Sequence, residues 1–397
     1  MKLRYFNYLS PLQEEGIFFK QSNVITKYAE KELLQYALGG TLYMPAIREN
    51  IADMVISKKY PELGSMVICL EDAVGDKQLE DAVSNLVRHV KDIYDAFSNG
   101  QITIEELPLI FIRVRNPHQM IALANRLHEW LHVLTGFVFP KLAVNNAEEY
   151  FRTLIQIVES HDVILYGMPI LETEELINLE TRYDTILALK QIFDKYKDRI
   201  LNIRIGATDL CGLYGIRRNY HTTVYDITII RDLISNVMNY FGREFVISGP
   251  VWEYFENNSR ILKPELRQTP FKTVYGKEGL EVRTQLLNTY EDGLIKETLL
   301  DLANGITGKT VIHPSHLKIV QGLNVITKEE YLDALSIIDQ SKIDTGVVKS
   351  SFSNKMNEIK PHLNWAEKIL YKSRIYGVYH ENSSYVDILA NQNQINN

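Results

Sequence analysis

Apolar and polar positions along the chain follow two alternating rhythms. Short runs dense in Val, Ile, Leu and Phe recur, and almost every one is followed by a longer segment whose apolar residues return three and four positions apart. The first rhythm marks buried strands and the second amphipathic helices. Eight strand candidates stand out: TLYMPA (41–46), SMVICLED (65–72), PLIFIRVR (108–115), GFVFPKL (136–142), VILYGMPILE (163–172), NIRIGATDL (202–210), EFVISGPV (244–251) and GKTVIHP (308–314). Between them run helical segments such as KQLEDAVSNLVRHVKDIYDAF, AEEYFRTLIQIVES and DITIIRDLISNVMNYF.

Strict strand and helix alternation implies parallel strands joined by right-handed crossovers, and eight such units over about 250–300 residues close a barrel. The expected fold is α/β: a (β/α)8 TIM barrel over residues 41–325, with an N-terminal extension (1–40) and a C-terminal helical tail (326–397). An open doubly wound sheet would carry a glycine-rich phosphate loop after its first strand, and MPAIREN has no glycine. In the extension, LLQYALGG reads as a helix stopped by glycines. In the tail, TKEEYLDALSIIDQ and PHLNWAEKILYKSRIYG read as helices, SSFSNKMN as a flexible joint and NQNQINN as disordered.

Composition narrows the partners. A net charge of −7 over 397 residues, without any sustained Lys/Arg run, argues against nucleic acid and for a small molecule. The N-terminus breaks its apolar residues with charges, and no stretch of about 18 apolar residues occurs, so a cytoplasmic protein without a membrane segment is expected. Two cysteines, Cys69 and Cys211, are too few for a disulfide framework or a thiolate metal site and are expected to be reduced bystanders.

In such a barrel the chemistry sits at the carboxyl ends of the strands. Here strand one leads to Arg48, two ends in Glu71 and Asp72, three carries Arg113 and Arg115, and four ends in Lys141. Five ends in Glu172, six in Asp209, seven approaches Ser248 and eight ends in His313. Side chains alternate along a strand. On that rule Phe111, Arg113 and Arg115 share a face, as do Phe137, Phe139 and Lys141, and Glu172 and Asp209 extend barrel-facing rows through Ile170 and Ile205. Glu71 and Asp72 are sent to opposite faces, one to the mouth and one to brace the turn.

Glu172 and Asp209 would stand side by side, and two close carboxylates need a shared proton or a cation. Two readings are open: a hard divalent ion, Mg²⁺ or Mn²⁺, completed by water and substrate, or salt bridges to Arg113 or Lys141. Arg48, Arg113 and Lys141 suit a substrate carboxylate or phosphate. Arg115 is either a second inward cation or a solvated rim residue, and His313 either a ligand or base or a structural hydrogen-bonder; His316 and His221 have no decisive context.

The pieces LYMPAIREN, VICLEDAVGDK, IRVRN, FPKL, ILET, IGATDL and GKTVIHPSH, in this order over residues 40–320, resemble the citrate lyase β-subunit-like branch of the HpcH/HpaI aldolase family. The resemblance implies a carbon–carbon lyase or aldolase holding Mg²⁺ through Glu172 and Asp209. It further implies that Arg113 binds the substrate's carboxylate or keto-acid end, and that Glu71 and Asp72 lie beside the site, organising water and basic residues. Family reactions make or break a carbon–carbon bond next to a carbonyl through a stabilised enolate, on keto acids or on acyl-CoA thioesters such as malyl-, citramalyl- or citryl-CoA. It also implies a homo-oligomer, trimer or hexamer, in which the tail from Pro361 to Tyr379 docks through Trp365, Ile369 and Leu370 on a neighbour, if not on its own barrel.

Three departures bear on the substrate: Arg115 precedes Asn116, Arg217, Arg218 and His221 form a basic loop, and the segment Glu253 to Tyr290 is long. They resemble a divergent subgroup of lyase-like proteins encoded near tellurium-resistance or stress genes. Rival functions are a thioester hydrolase or phosphoenolpyruvate-type enzyme on the same site, and a non-catalytic ligand-sensing barrel in a stress pathway. The filled charged positions disfavour a dead enzyme, but no general base is identifiable.

Overall fold

The structure is a computed structural model, and it describes residues 3–255, 289–343, 346–350, 352 and 356–390. Eight parallel strands close into a barrel in chain order: β1 (Gly40–Pro45), β2 (Ser65–Cys69), β3 (Leu109–Arg113), β4 (Gly136–Phe139), β5 (Tyr166–Leu171), β6 (Ile203–Ile205), β7 (Ile247–Trp252) and β8 (Lys309–Val311). All eight predicted strands exist. Most stop earlier than the apolar runs suggest, because the runs continue into the loops that line the barrel mouth.

The outer shell holds helices such as Leu79–Ser98, Val144–His161 and Thr228–Phe241, whose Leu86, Val90, Leu154, Ile230 and Leu233 are fully buried against the outward-facing Ile68, Ile110, Phe137 and Phe139. Each such side chain contributes roughly 1.5–3 kcal/mol on burial. A second cluster fills the lumen, where Val67, Phe111, Val138, Met168 and Ile170 meet the N-terminal extension.

That extension and the tail together close the amino-terminal end of the barrel. Strand Phe18–Lys20 pairs antiparallel with Val378–Tyr379. Tyr5 stacks on Tyr376 at 4.8 Å, and the Tyr376 hydroxyl donates to the Tyr36 carbonyl at 2.7 Å. Lys27 donates to the carbonyls of His132, at 2.9 Å, and of Leu134, just before β4.

One expectation for the tail is corrected. Helix Ile359–Tyr376 packs on Lys328–Ser341 of its own chain: Ile369 is buried there, with Trp365 and Leu370 against the same cluster, so this face is used internally. Half of the expected joint SSFSNKMN lies outside the described residues, and Val347–Lys349 pairs with Met356–Glu358 as antiparallel strands. Most of the long segment Glu253 to Tyr290, and all of NQNQINN, lie outside the described residues.

Candidate active site

A cavity of about 420 Å³ opens at the carboxyl end of the barrel, walled by Tyr43, Cys69, Asp72, Arg113, Glu172, Arg204, Gly206, Asp209 and Thr310 among others. Register explains part of the wall. Cys69, Arg113, Val138 and Met168 are paired from one strand to the next, so they form one lumen-facing layer.

Glu71 and Asp72 follow the end of β2, where the chain has left the sheet and strand alternation no longer applies. Both therefore reach the same cations, which corrects the expectation of opposite faces. Lys141 Nζ lies 2.5 Å from Glu71 Oε1 and 2.9 Å from Asp72 Oδ1, and Arg113 Nη1 lies 3.2 and 3.4 Å from their other oxygens. Burial raises the proton affinity of Glu71, and the neighbouring Asp72 adds to this. For Asp72 burial is outweighed by hydrogen bonds from Glu71 and Lys141 and by Arg113, and its affinity falls. Burial likewise works against the charge of Lys141 and is outweighed by the two carboxylates, which hold it protonated.

Lys141 gets there by a route that alternation could not foresee. Phe137 and Phe139 face outward, and the chain swings in through a left-handed backbone at Lys141 (φ +46°). The same turn aims the Lys141 amide at Glu172, with a hydrogen bond of 2.7 Å to Oε1.

Glu172 extends the lumen row of Met168 and Ile170 as expected, and is buried. Asp209 comes differently: β6 ends at Ile205, and Asp209 sits in the first turn of the short helix Ala207–Leu213. Ile205 belongs to the outward row, so the shared face predicted for Asp209 and Ile205 is also corrected. Glu172 is pushed up to about 8, chiefly by burial and then by the charge of Asp209. Asp209 is raised by burial and next by Asp72. Neither Glu172 nor Asp209 has an ion pair among the described residues, while Arg113 and Lys141 spend theirs on Glu71 and Asp72. Gly206 makes room for this arrangement: a Cβ there would lie 2.0 Å from Glu172 Oε2.

Three predicted binding residues sit away from the cavity wall. Arg48 bonds Asn50 through Nε at 2.8 Å. Arg115 lies beyond the end of β3 and clamps the loop carrying the acids, donating to the carbonyls of Leu70 and Val74 at 2.8 and 2.7 Å and pairing with Asp76 at 2.5 Å. His313 stacks on Phe255 at 4.6 Å and bonds Ser315 at 2.9 Å. Arg218 is no free loop cation either, because it is buried against Glu297 at 2.8 Å. His316 is buried and bonds the Tyr254 carbonyl.

Sequence reasoning missed three cavity residues. Cys69, free as expected, is no bystander, since its Sγ accepts from Arg113 Nε at 3.1 Å and from the Glu71 amide at 3.2 Å. Tyr43 has Arg113 and Arg204 within 5.6 and 5.4 Å of its ring centroid. Arg204 is 1% exposed and faces the lumen. An arginine between two isoleucines in a short strand was the available signal.

No helix among the described residues is long and apolar enough to cross a membrane, and no group of three or more His, Cys, Asp or Glu among them suits a metal ion. Glu172 and Asp209 offer hard oxygen donors beside the open cavity, with no ion pair to a cation among the described residues; that donor set fits Mg²⁺, which keeps several waters. No curated protein matches the sequence. Among solved structures, a citrate lyase from Burkholderia xenovorans aligns with a TM-score of 0.56 at 11% identity, over 88% of this chain and 95% of that one. The CitE protein of Mycobacterium tuberculosis, in complex with magnesium, acetoacetate and coenzyme A, aligns with a TM-score of 0.50 at 17% identity, over 85% of this chain and 99% of that one. These likenesses are of fold. The family model described as C-C bond lyase of the TIM-barrel fold matches residues 32–378, and the chain belongs to that family.

Proposed function

We propose that this carbon–carbon lyase is Mg²⁺-dependent and acts on a substrate carrying a carboxylate or keto-acid group, with Glu172 and Asp209 as the protein's ligands to the ion. The observation that carries the reading is the division of charge in the mouth: Arg113 and Lys141 pair with Glu71 and Asp72, and Glu172 and Asp209 are left without a cation. The magnesium in the CitE complex is consistent with it. Bound there, a divalent ion would polarise the substrate carbonyl as a Lewis acid and favour the enolate.

The chain's own residues do the rest. Glu71 and Asp72 hold Arg113 and Lys141 at fixed positions over the cavity, so that positive charge stands where negative charge develops on the substrate, without reorganisation during the reaction. The Lys141 amide fixes one Glu172 oxygen and leaves the other toward the cavity. Arg115 locks the loop that carries both acids.

Calorimetric titration with Mg²⁺, followed by pyruvate, oxaloacetate and glyoxylate, tests the reading in wild type, Asp209→Ala and Glu172→Gln. Wild type is expected to bind the ion and each variant to lose at least tenfold in affinity, about 1.4 kcal/mol. Equal Mg²⁺ binding in wild type and Asp209→Ala refutes the metal assignment. Release of acetyl-CoA together with glyoxylate, pyruvate or oxaloacetate from malyl-, citramalyl- or citryl-CoA would extend the substrate to a thioester, whereas release of free thiol would mark a hydrolase instead.

A further inference from the structure

Arg204 is a charged residue of the cavity wall that the reading above leaves without a task. It rises from the short strand β6 into the barrel lumen and is 1% exposed. Among the described residues no carboxylate stands within ion-pair distance of it; its Nη2 donates to the Thr310 hydroxyl at 2.8 Å, its Nη1 has only Met168 Sδ at 3.9 Å, and its Nε has no partner. The Tyr43 ring lies 5.4 Å from its guanidinium, and the Tyr43 hydroxyl, also buried, has no partner either. An unpaired buried charge is among the costliest things a fold can hold, and an unsatisfied buried donor adds to that cost. Both residues line the same cavity as Glu172 and Asp209.

The charges around the cavity indicate what belongs there. Glu71, Asp72, Arg113 and Lys141 cancel among themselves, and a divalent ion would cancel Glu172 and Asp209. What remains is a single positive charge, all of it on Arg204. A monoanion answers it. A dianion such as phosphate would leave excess negative charge in a site already bounded by carboxylates.

We propose that Arg204 and the Tyr43 hydroxyl form an anion subsite on the inner wall of the cavity that takes a carboxylate of the substrate, directing that end of the molecule into the barrel and its reacting carbon toward Glu172 and Asp209. The orientation and the charge count rest on the metal assignment; the unpaired buried donors that make the subsite do not. Arginine presents a planar fork that a carboxylate matches with two hydrogen bonds, and the phenol can supply a third. Arg113 is a weaker candidate for this contact, because its Nη1 and Nε are already engaged by Glu71, Asp72 and Cys69. The proposed specificity is therefore for a carboxylate presented inward, past the charged rim.

The test is calorimetric titration of wild type, Arg204→Met and Tyr43→Phe with pyruvate and acetate, each with Mg²⁺ and again in chelator, with acetamide as the neutral control and inorganic phosphate as competitor. Wild type should bind the carboxylates and not acetamide. Arg204→Met should weaken pyruvate at least tenfold and Tyr43→Phe severalfold, with Mg²⁺ affinity unchanged in both. Arg204→Met removes an unpaired charge, so its melting temperature should not fall; should it unfold, Tyr43→Phe, which deletes one oxygen, carries the test alone. Carboxylate binding that survives both substitutions, or is absent from wild type in both conditions, overturns the subsite, as does phosphate binding tighter than pyruvate. Carboxylate binding in chelator that depends on Arg204, together with no Mg²⁺ binding, would uphold the subsite and refute the metal assignment.

Discussion

At the scale of single residues, the site depends on side chains and backbone groups that hold the proposed ligands still. Gly206 is the sharpest case. Its backbone has φ −93°, which alanine adopts freely, yet an added Cβ would meet Glu172 Oε2 at 2.0 Å and Glu172 Cβ at 2.5 Å. Gly206→Ala must therefore displace the carboxylate rather than strain the turn. We expect the variant to fold and to lose at least tenfold in Mg²⁺ affinity, read by calorimetry beside a melting curve. Unchanged affinity would mean that Glu172 does not bind the ion in the position described. Residues of this kind are hard to find from a sequence, because what matters at Gly206 is an absent atom, and at Lys141 a left-handed φ that ordinary alternation does not contain.

At the scale of elements, the strands were legible and their facing was not. Apolar runs recurring with helical segments identify eight strands because a parallel barrel buries both faces of each. The same double burial erases the alternation that would distinguish inside from outside. Hence Phe137 and Phe139 look as inward as Val138, and Ile205 as inward as Arg204, although each pair divides the other way. The facing of charged residues was right where the strand stayed regular up to them, as at Arg113 and Glu172, and wrong where it had ended, as at Asp72 and Asp209; Arg115, left open between an inward cation and a rim residue, lies past the end of β3.

The N-terminal extension makes an element-scale prediction through Lys27. Its ammonium is buried against the carbonyls before β4, and burial pushes it down to about 7 from an ordinary value of 10.5. Between those values the unfolded chain holds a proton that the folded chain has lost, so stability should rise with pH, by at most about 1.4 kcal/mol per pH unit. Below pH 7 both states are protonated and the contribution flattens. Urea unfolding of wild type and Lys27→Met at pH 6, 7, 8 and 9 isolates it: the difference between the two should change steadily from pH 7 upward, wild type gaining. A constant difference would mean that Lys27 keeps its proton in the folded chain.

At the scale of the whole molecule, the extension, the barrel and the tail share one lumen cluster, which also decides how the chain unfolds. Tyr376 joins all three: it is fully buried in the tail helix, stacks on Tyr5 of the extension at 4.8 Å, and donates to the Tyr36 carbonyl close to the entry of β1. The lumen residues above it, Val67, Phe111 and Val138, belong to the same cluster. Truncating a large aromatic in such a place costs roughly 3–5 kcal/mol. If the tail were an independent unit, Tyr376→Ala would detach it and leave the barrel's transition where it was. Because the packing is shared, we expect one calorimetric transition in wild type and one, several degrees lower, in Tyr376→Ala, seen equally by near-ultraviolet dichroism and heat capacity. The active-site cavity lies at the opposite, carboxyl end of the strands. Mg²⁺ affinity measured well below the transition should therefore be unchanged, which separates loss of stability from loss of the site. A second transition appearing in the variant would show that the barrel stands without its stopper.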